Sequence, residues 1–206
     1  QRQMCIRDSS IDGGSLKYDY FSPNEKNRLS VFASAANTDR DSYYGPGNDP
    51  LKAYGKTTDL TAMGGVQYVH TFDKCLFMPS DLTAGLEYNR DRLKDNMWGY
   101  DRHTDQTVNI YSAFLQNEWK NERWSILVGG RLDKHNMVDN IIFSPRANLR
   151  FNPTQNINLR LSYSSGFRAP QAFDEDMHIE NVGGTVAMIE RTKNLKEEKS
   201  QSFSAS

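Results

Sequence analysis

Between Arg146 and Ser164, apolar and polar residues alternate almost without error on either side of a tight turn. Ala147, Leu149 and Phe151 fall on one face of an extended chain, and Arg146, Asn148, Arg150 and Asn152 on the other. After Asn152-Pro153-Thr154-Gln155-Asn156 the pattern resumes, with Ile157, Leu159, Leu161 and Tyr163 against Asn158, Arg160, Ser162 and Ser164. Successive side chains of a strand point to opposite faces, so this hairpin separates two unlike environments. The same rhythm recurs upstream in the rows Leu16/Tyr18/Tyr20, Leu29/Val31/Ala33/Ala35 and Leu60/Ala62/Gly64/Val66/Tyr68. It continues in Leu82/Ala84/Leu86/Tyr88, Tyr111/Ala113/Leu115/Trp119 and Trp124/Ile126/Val128/Leu132. Period two with β-branched and aromatic residues predicts about nine strands, the last over Leu195–Ser206. No segment carries a sustained 3.6-residue apolar stripe, so no helix is predicted.

The connectors alternate short and long. Tight turns are expected at 22–27, 73–80, 120–122 and 152–156, and long loops at about 40–57, 93–106, 134–143 and 167–194. All tight turns then lie at one end of the sheet, the loop asymmetry of a transmembrane barrel; a sandwich with Greek-key connections has less reason to sort its loops this way. The polar faces carry ions in mid-strand (Glu87, Asp91, Arg131, Asp133, Arg146, Arg150, Arg160), which suits a wet lumen or the solvent face of a sandwich. Tyr18, Tyr20, Phe72, Phe77, Tyr88, Trp119, Trp124, Phe151, Tyr163 and Phe167 gather near strand ends, as in the aromatic girdles of barrels. The fold expected is all-β: an antiparallel up-and-down transmembrane β-barrel, present in part, as about nine strands of a larger barrel.

Composition changes this picture little. The 206 residues carry a formal charge of −1, which gives no support for a nucleic-acid partner. Mean hydropathy is below zero, but barrel strands are only half apolar, so this does not separate a barrel from a soluble sandwich. The two cysteines, Cys5 and Cys75, are too scattered for a disulfide framework or a zinc site. Gln1 to Ser9 reads as a leader foreign to the native fold, or else as an ordinary polar loop, and no fold inference is drawn from it. No nucleophile elbow, Walker loop or zinc-protease helix motif is present, so binding rather than catalysis is expected.

One set of motifs resembles a known family. Val128-Gly129-Gly130-Arg131-Leu132-Asp133, Phe143-Ser144-Pro145-Arg146 and Ser162 to Pro170, with Gly166-Phe167-Arg168-Ala169-Pro170 at its end, resemble the barrel of TonB-dependent outer-membrane receptors. Asn194-Leu195-Lys196-Glu197-Glu198-Lys199-Ser200 is similar to that family's return into the barrel after a loop, and Phe114 to Trp119 to one of its strand ends. Motifs cover about residues 110–206; upstream the likeness is one of rhythm alone. The resemblance implies a barrel of about 22 strands plugged by a globular domain. It implies energised uptake of a scarce ligand, such as an iron chelate, haem, cobalamin or a glycan. Residues 10–206 are then part of the receptor barrel, with the plug, the TonB-box segment and the last aromatic strand outside this sequence. The implied partners are outer-membrane lipid, a small-molecule ligand, and the TonB complex through the plug. The implied location is the bacterial outer membrane. No resident cofactor is expected; haem or a ferric chelate is the candidate cargo.

Candidate ligand contacts are the loop-side aromatics Tyr43, Tyr44, Trp98 and Tyr100, which could equally pack loop against loop, and Arg168, which could pair an anionic chelate or a neighbouring carboxylate. Asp174 and Asp176 with His178 form the one cluster that invites a metal reading, against the alternative of a solvated loop. His178 lies between Phe167-Arg168-Ala169-Pro170 and Asn194-Leu195, where haem receptors of the family carry an iron-seeking histidine, although the second box is degraded here. His70 reads as interfacial, and His103 and His135 as solvated loop residues. Two competing readings are a passive porin-type barrel and a soluble β-sandwich that binds carbohydrate.

Overall fold

A computed structural model of the protein describes residues 5–44, 54–98, 101–170, 180–182, 185–187 and 196–206. Nine long strands make one sheet: β1 (Cys5–Phe21), β2 (Asn27–Tyr44), β3 (Tyr54–Cys75), β4 (Met78–Met97), β5 (Arg102–Lys120), β6 (Trp124–His135), β7 (Ile142–Thr154), β8 (Ile157–Arg168) and β11 (Glu198–Ala205). A separate short hairpin pairs β9 (Glu180–Val182) with β10 (Thr185–Ala187). Every neighbouring pair is antiparallel, and the order along the sheet is the order along the chain. The nine-stranded sheet is up-and-down and is not closed on itself.

The register keeps the apolar rows continuous across the sheet. Val31 stands opposite Val66, Val66 opposite Leu86, Leu86 opposite Ala113, Ala113 opposite Leu132 and Leu132 opposite Phe143. A slip of one residue at any ladder would turn a whole row to the wrong face. Burial is inverted relative to a soluble sheet. Leu16 is 76% exposed, Leu86 60% and Leu115 55%, while Asp95 and His135 are wholly buried and Asp133 is 3% exposed. Water around that face would forgo about 1.5–3 kcal/mol for each large apolar side chain left uncovered.

Aromatic residues cap the apolar face at both ends. Near the tight turns, Phe77 stacks on Trp119 at 5.7 Å and Trp124 on Phe151 at 4.1 Å, and the Trp119 indole N–H donates to the Cys75 carbonyl at 3.0 Å. His70 sits between Tyr68 and Phe72, at the tight-turn end of their row, and bonds Asn27. At the other end Tyr88 meets Tyr111 at 4.9 Å. From Trp119 to Tyr111 the strand advances about 27 Å, or about 21 Å in height at a barrel's tilt of ~40°, close to the ~25 Å apolar band of such proteins.

Two glycines on the concave face answer to phenyl rings on the neighbouring strand. Gly65 stands opposite Phe32 and Gly85 opposite Phe114. A Cβ on Gly65 would lie 2.6 Å from the Phe32 ring tip, and one on Gly85 2.3 Å from that of Phe114. The rings lie where a side chain would otherwise stand, so Phe32 and Phe114 interrupt the polar face without disturbing the ladder.

The strands run further than the apolar rows. The stretch 93–106, expected as a long loop, is mostly strand: β4 continues to Met97, β5 starts at Arg102, and only 98–101 connect them. The concave row Leu93, Asp95, Met97 is buried there while the outward row is Arg92, Lys94 and Asn96, so both strand faces depart from the apolar-out pattern. The connection expected at 40–57 shrinks to 45–53 and that at 134–143 to 136–141. β7 reaches Thr154 through an irregularity after Phe151, which narrows the turn to 155–156, and the last strand starts at Glu198. His103 is exposed as expected but lies within β5 and not in a loop, whereas His135, expected to be solvated, closes β6 fully buried. β1 runs on through residues 5–9, with Cys5 opposite Tyr44 and Ser9 opposite Arg40.

Candidate functional site

The concave face supplies the chemistry. Midway along β4 and β5 and toward the end of β6, Glu87 stands opposite Ser112 and Ser112 opposite Asp133. Arg131 joins them: Nη1 lies 2.5 Å from Glu87 Oε2 and Nε 2.8 Å from Asp133 Oδ1, which also accepts from Ser112 Oγ at 2.6 Å. Period two puts these groups on one face, and antiparallel register brings them level. The guanidinium satisfies two carboxylates at once, so the cluster is a rigid polar fixture of the wall. It borders a hollow of about 460 Å³ lined by Gln67, Thr83, Glu87, Gln116, Arg131 and Arg146. A wider groove of about 580 Å³ lies on the opposite face between Ile126, Leu149, Leu161 and Phe203. Its lining is apolar, so it suits hydrocarbon and not a polar solute.

A second group sits at the long-connection end. Asp95 accepts from Thr57 Oγ1 at 2.7 Å and from Arg102 Nε at 2.9 Å, which ties β3, β4 and β5 together beyond the aromatic belt. Ser42 Oγ lies 3.4 Å from the Gly55 carbonyl and carries the brace to β2. His135 Nδ1 accepts from the Met137 amide at 3.0 Å, so the buried imidazole caps the turn after β6. At the start of the last strand, Glu197 pairs with Lys199 at 3.4 Å. A backbone N–H bond, with Lys199 beside it, holds the Glu197 carboxyl below the usual carboxylate range. Period-two reading missed Asp95, Arg102 and Thr57 because it assigned their segments to loops. The alternation of Leu93, Asp95 and Met97 was the available signal.

The residues singled out from sequence fall in three places. Tyr43 ends β2 on the outward face with its ring 4.9 Å from Tyr54, and Tyr44 follows it as the last residue of that strand. Trp98 is exposed in the turn between β4 and β5, closed by the Asp101 amide on the Trp98 carbonyl. Arg168 ends β8 opposite Glu198, four strands from Trp98, so these two are not neighbours. Gly166 faces Ser200, and Phe167 and Ala169 pack with Val138 and Ile142, so the Gly166 to Pro170 run anchors the end of β8 to the connection before β7. Tyr100, Asp174, Asp176 and His178 lie outside the described residues. Among the described residues, no three His, Cys, Asp or Glu side chains stand close enough to hold a metal ion.

An up-and-down antiparallel sheet that is apolar and aromatic-belted outside, and polar and ionic on its concave face, is a stretch of membrane-type β-barrel wall. The sequence profile of TonB dependent receptor-like β-barrels matches residues 7–206. The chain belongs to that family, whose members are outer-membrane transport receptors and not enzymes. No curated protein sequence matches it. Among solved structures, the siderophore receptor PirA from Acinetobacter baumannii is 17% identical with a TM-score of 0.68, over 80% of this chain and 26% of that one. A mutant of the ferric enterobactin receptor PfeA from Pseudomonas aeruginosa, in complex with enterobactin, is 19% identical with a TM-score of 0.65, over 80% and 26%. The siderophore receptor PirA from Pseudomonas aeruginosa is 12% identical with a TM-score of 0.58, over 95% and 42%. The chain thus spans about a quarter of the first two.

Proposed function

We propose that the chain is part of the barrel wall of an outer-membrane receptor that takes up an iron chelate with energy supplied through TonB. The inverted burial carries this reading: a lipid-facing Leu115 and Leu86 back onto an ionic wall at Glu87, Arg131 and Asp133. The solved relatives point to the cargo, since each is a siderophore receptor or a ferric chelate receptor. In this mechanism the extended rim around Asp95 and Arg102 guides the ligand inward. The polar wall forms one side of the path that opens when a plug domain, supplied by the longer protein, rearranges. No bond is made or broken.

The test is uptake of radiolabelled ferric chelates by a receptor-deficient host expressing the full-length protein. Accumulation against a gradient, abolished by a protonophore or by loss of TonB, is the expected result. Entry that survives both treatments would identify a passive porin-type barrel. A chain that remains monomeric in buffer without detergent would restore the soluble sandwich.

A further inference from the structure

The outward face changes character just beyond the Tyr88–Tyr111 pair. β4 continues from Tyr88 with Arg90, Arg92 and Lys94 pointing the same way. Arg90 is flanked by Ala62 and Asn109, and Arg92 by Leu60 and Thr107, so no carboxylate stands level with either on a neighbouring strand. Arg90 is exposed and Arg92 half-buried. Neither guanidinium has an ion-pair partner among the described residues, and Arg92 Nε has no hydrogen-bond acceptor. Lys94 differs, being opposite Asp105 with its amine 3.8 Å from that carboxylate.

Height selects what the two arginines meet. Arg90 and Arg92 lie about 7 and 14 Å along the strand past Tyr88, which is about 5 and 10 Å above the aromatic belt at a tilt of ~40°. The headgroup layer outside the hydrocarbon is about 5–8 Å thick on each side. The Arg90 backbone therefore lies within it and that of Arg92 about 2–5 Å above it, near enough for the long side chain to reach down to the phosphates, while Lys94, at about 16 Å, stands in water. An unpaired, weakly hydrated guanidinium at that depth matches a phosphate, which it can hold through two parallel N–H bonds.

We infer that Arg90 and Arg92 form a docking site for the phosphate of an outer-leaflet lipid headgroup, next to the Tyr88–Tyr111 belt. The inference rests on the membrane orientation proposed above. The cations stand directly above the lipid-facing Leu86 and Tyr88 of the same strand, so the site fits an amphiphile with a phosphorylated head and acyl chains better than a free anion.

The experiment uses the full-length receptor in detergent micelles, with bis-phosphorylated lipid A as the probe and bound lipid counted by native mass spectrometry. Arg90→Gln with Arg92→Gln should weaken retention roughly thirtyfold. Arg90→Lys with Arg92→Lys should keep most of it, and Lys94→Gln should change nothing. Lipid A stripped of its phosphates should bind the wild type as weakly as it binds the double Gln variant. Equal retention by wild type and double Gln variant overturns the site. Displacement of the lipid by millimolar inorganic phosphate overturns the lipid as its occupant. Folding is checked by the heat-dependent mobility of the barrel on gels; should the Gln pair not fold, Lys-pair retention no better than that of dephosphorylated lipid overturns the site. A protein that inserts into no micelle or bilayer defeats the membrane reading itself, whereas insertion with unchanged lipid A binding defeats only this inference.

Discussion

Leu115→Arg places a guanidinium at the middle of the apolar face, four residues from Trp119 and four from Tyr111 on the same strand. Each belt is then about 14 Å away along β5, or about 10 Å in height, further than an arginine reaches comfortably to snorkel. Its cross-strand neighbours are Ala84 and Gly130, which offer no carboxylate. An arginine on the lipid face at the midplane of a barrel costs about 2–4 kcal/mol, or roughly 30- to 700-fold in the folding equilibrium. Gln116→Arg, one residue on but facing the concave wall, should stay within about 0.5 kcal/mol. Tyr111→Arg, at the belt, should cost up to about 1 kcal/mol for its depth, plus about 0.5–1.5 kcal/mol for the lost contact with Tyr88. Urea titrations of the full-length protein in lipid vesicles, followed by tryptophan fluorescence, measure all three. Equal losses for Leu115→Arg and Gln116→Arg would refute the assignment of faces. A cost for Leu115→Arg well below about 2 kcal/mol would refute the placement of lipid along the row.

Arg131→Met leaves buried Asp133 and Glu87 facing each other without their cation and should destabilise the barrel by about 1–3 kcal/mol; adding Glu87→Gln and Asp133→Asn should recover part of that loss in the same titration. Gly85→Ala drives a methyl into the Phe114 ring and toward the Val66 carbonyl at 2.9 Å, so it should cost about 1–3 kcal/mol. Phe114→Ala in the Gly85→Ala background should relieve the ring clash; a larger loss in the double variant would contradict that account. A siderophore cargo predicts that His178→Ala leaves growth on ferric chelates intact, while a selective loss of growth on haem would assign His178 to haem iron.

Where lipid lies on one side and a wet wall on the other, the sequence states the fold openly. Leu82, Ala84 and Leu86 alternate with Thr83, Gly85 and Glu87, and the ladder places them as that rhythm implies. Beyond Tyr88 the outward row turns from apolar to cationic, with Arg90, Arg92 and Lys94. The burial of Leu93, Asp95 and Met97 then moves to the concave side. The alternation survives but changes sign, so it resembles a polar loop and the lengths of β4 and β5 were underestimated. The brace of Asp95 with Thr57 and Arg102 was hidden for the same reason. It joins three strands, so no single segment announces it. His135 shows a related limit: a histidine beside a turn reads as solvated until the capping bond to Met137 and the strands around it are known.

In the membrane orientation proposed above, the long reach of β4 past Tyr88 has a consequence for recognition from outside the cell. Met97 lies nine residues beyond Tyr88, about 30 Å of strand, most of it above the headgroups in that orientation. An antibody or phage tail approaching there meets a laddered sheet whose presented side chains are fixed by pairing with β3 and β5. The epitope is therefore a product of register. A linear peptide copied from this hairpin should raise antibodies that bind the unfolded chain on blots and miss the intact cell, whereas a hairpin stapled in register should raise antibodies that bind both.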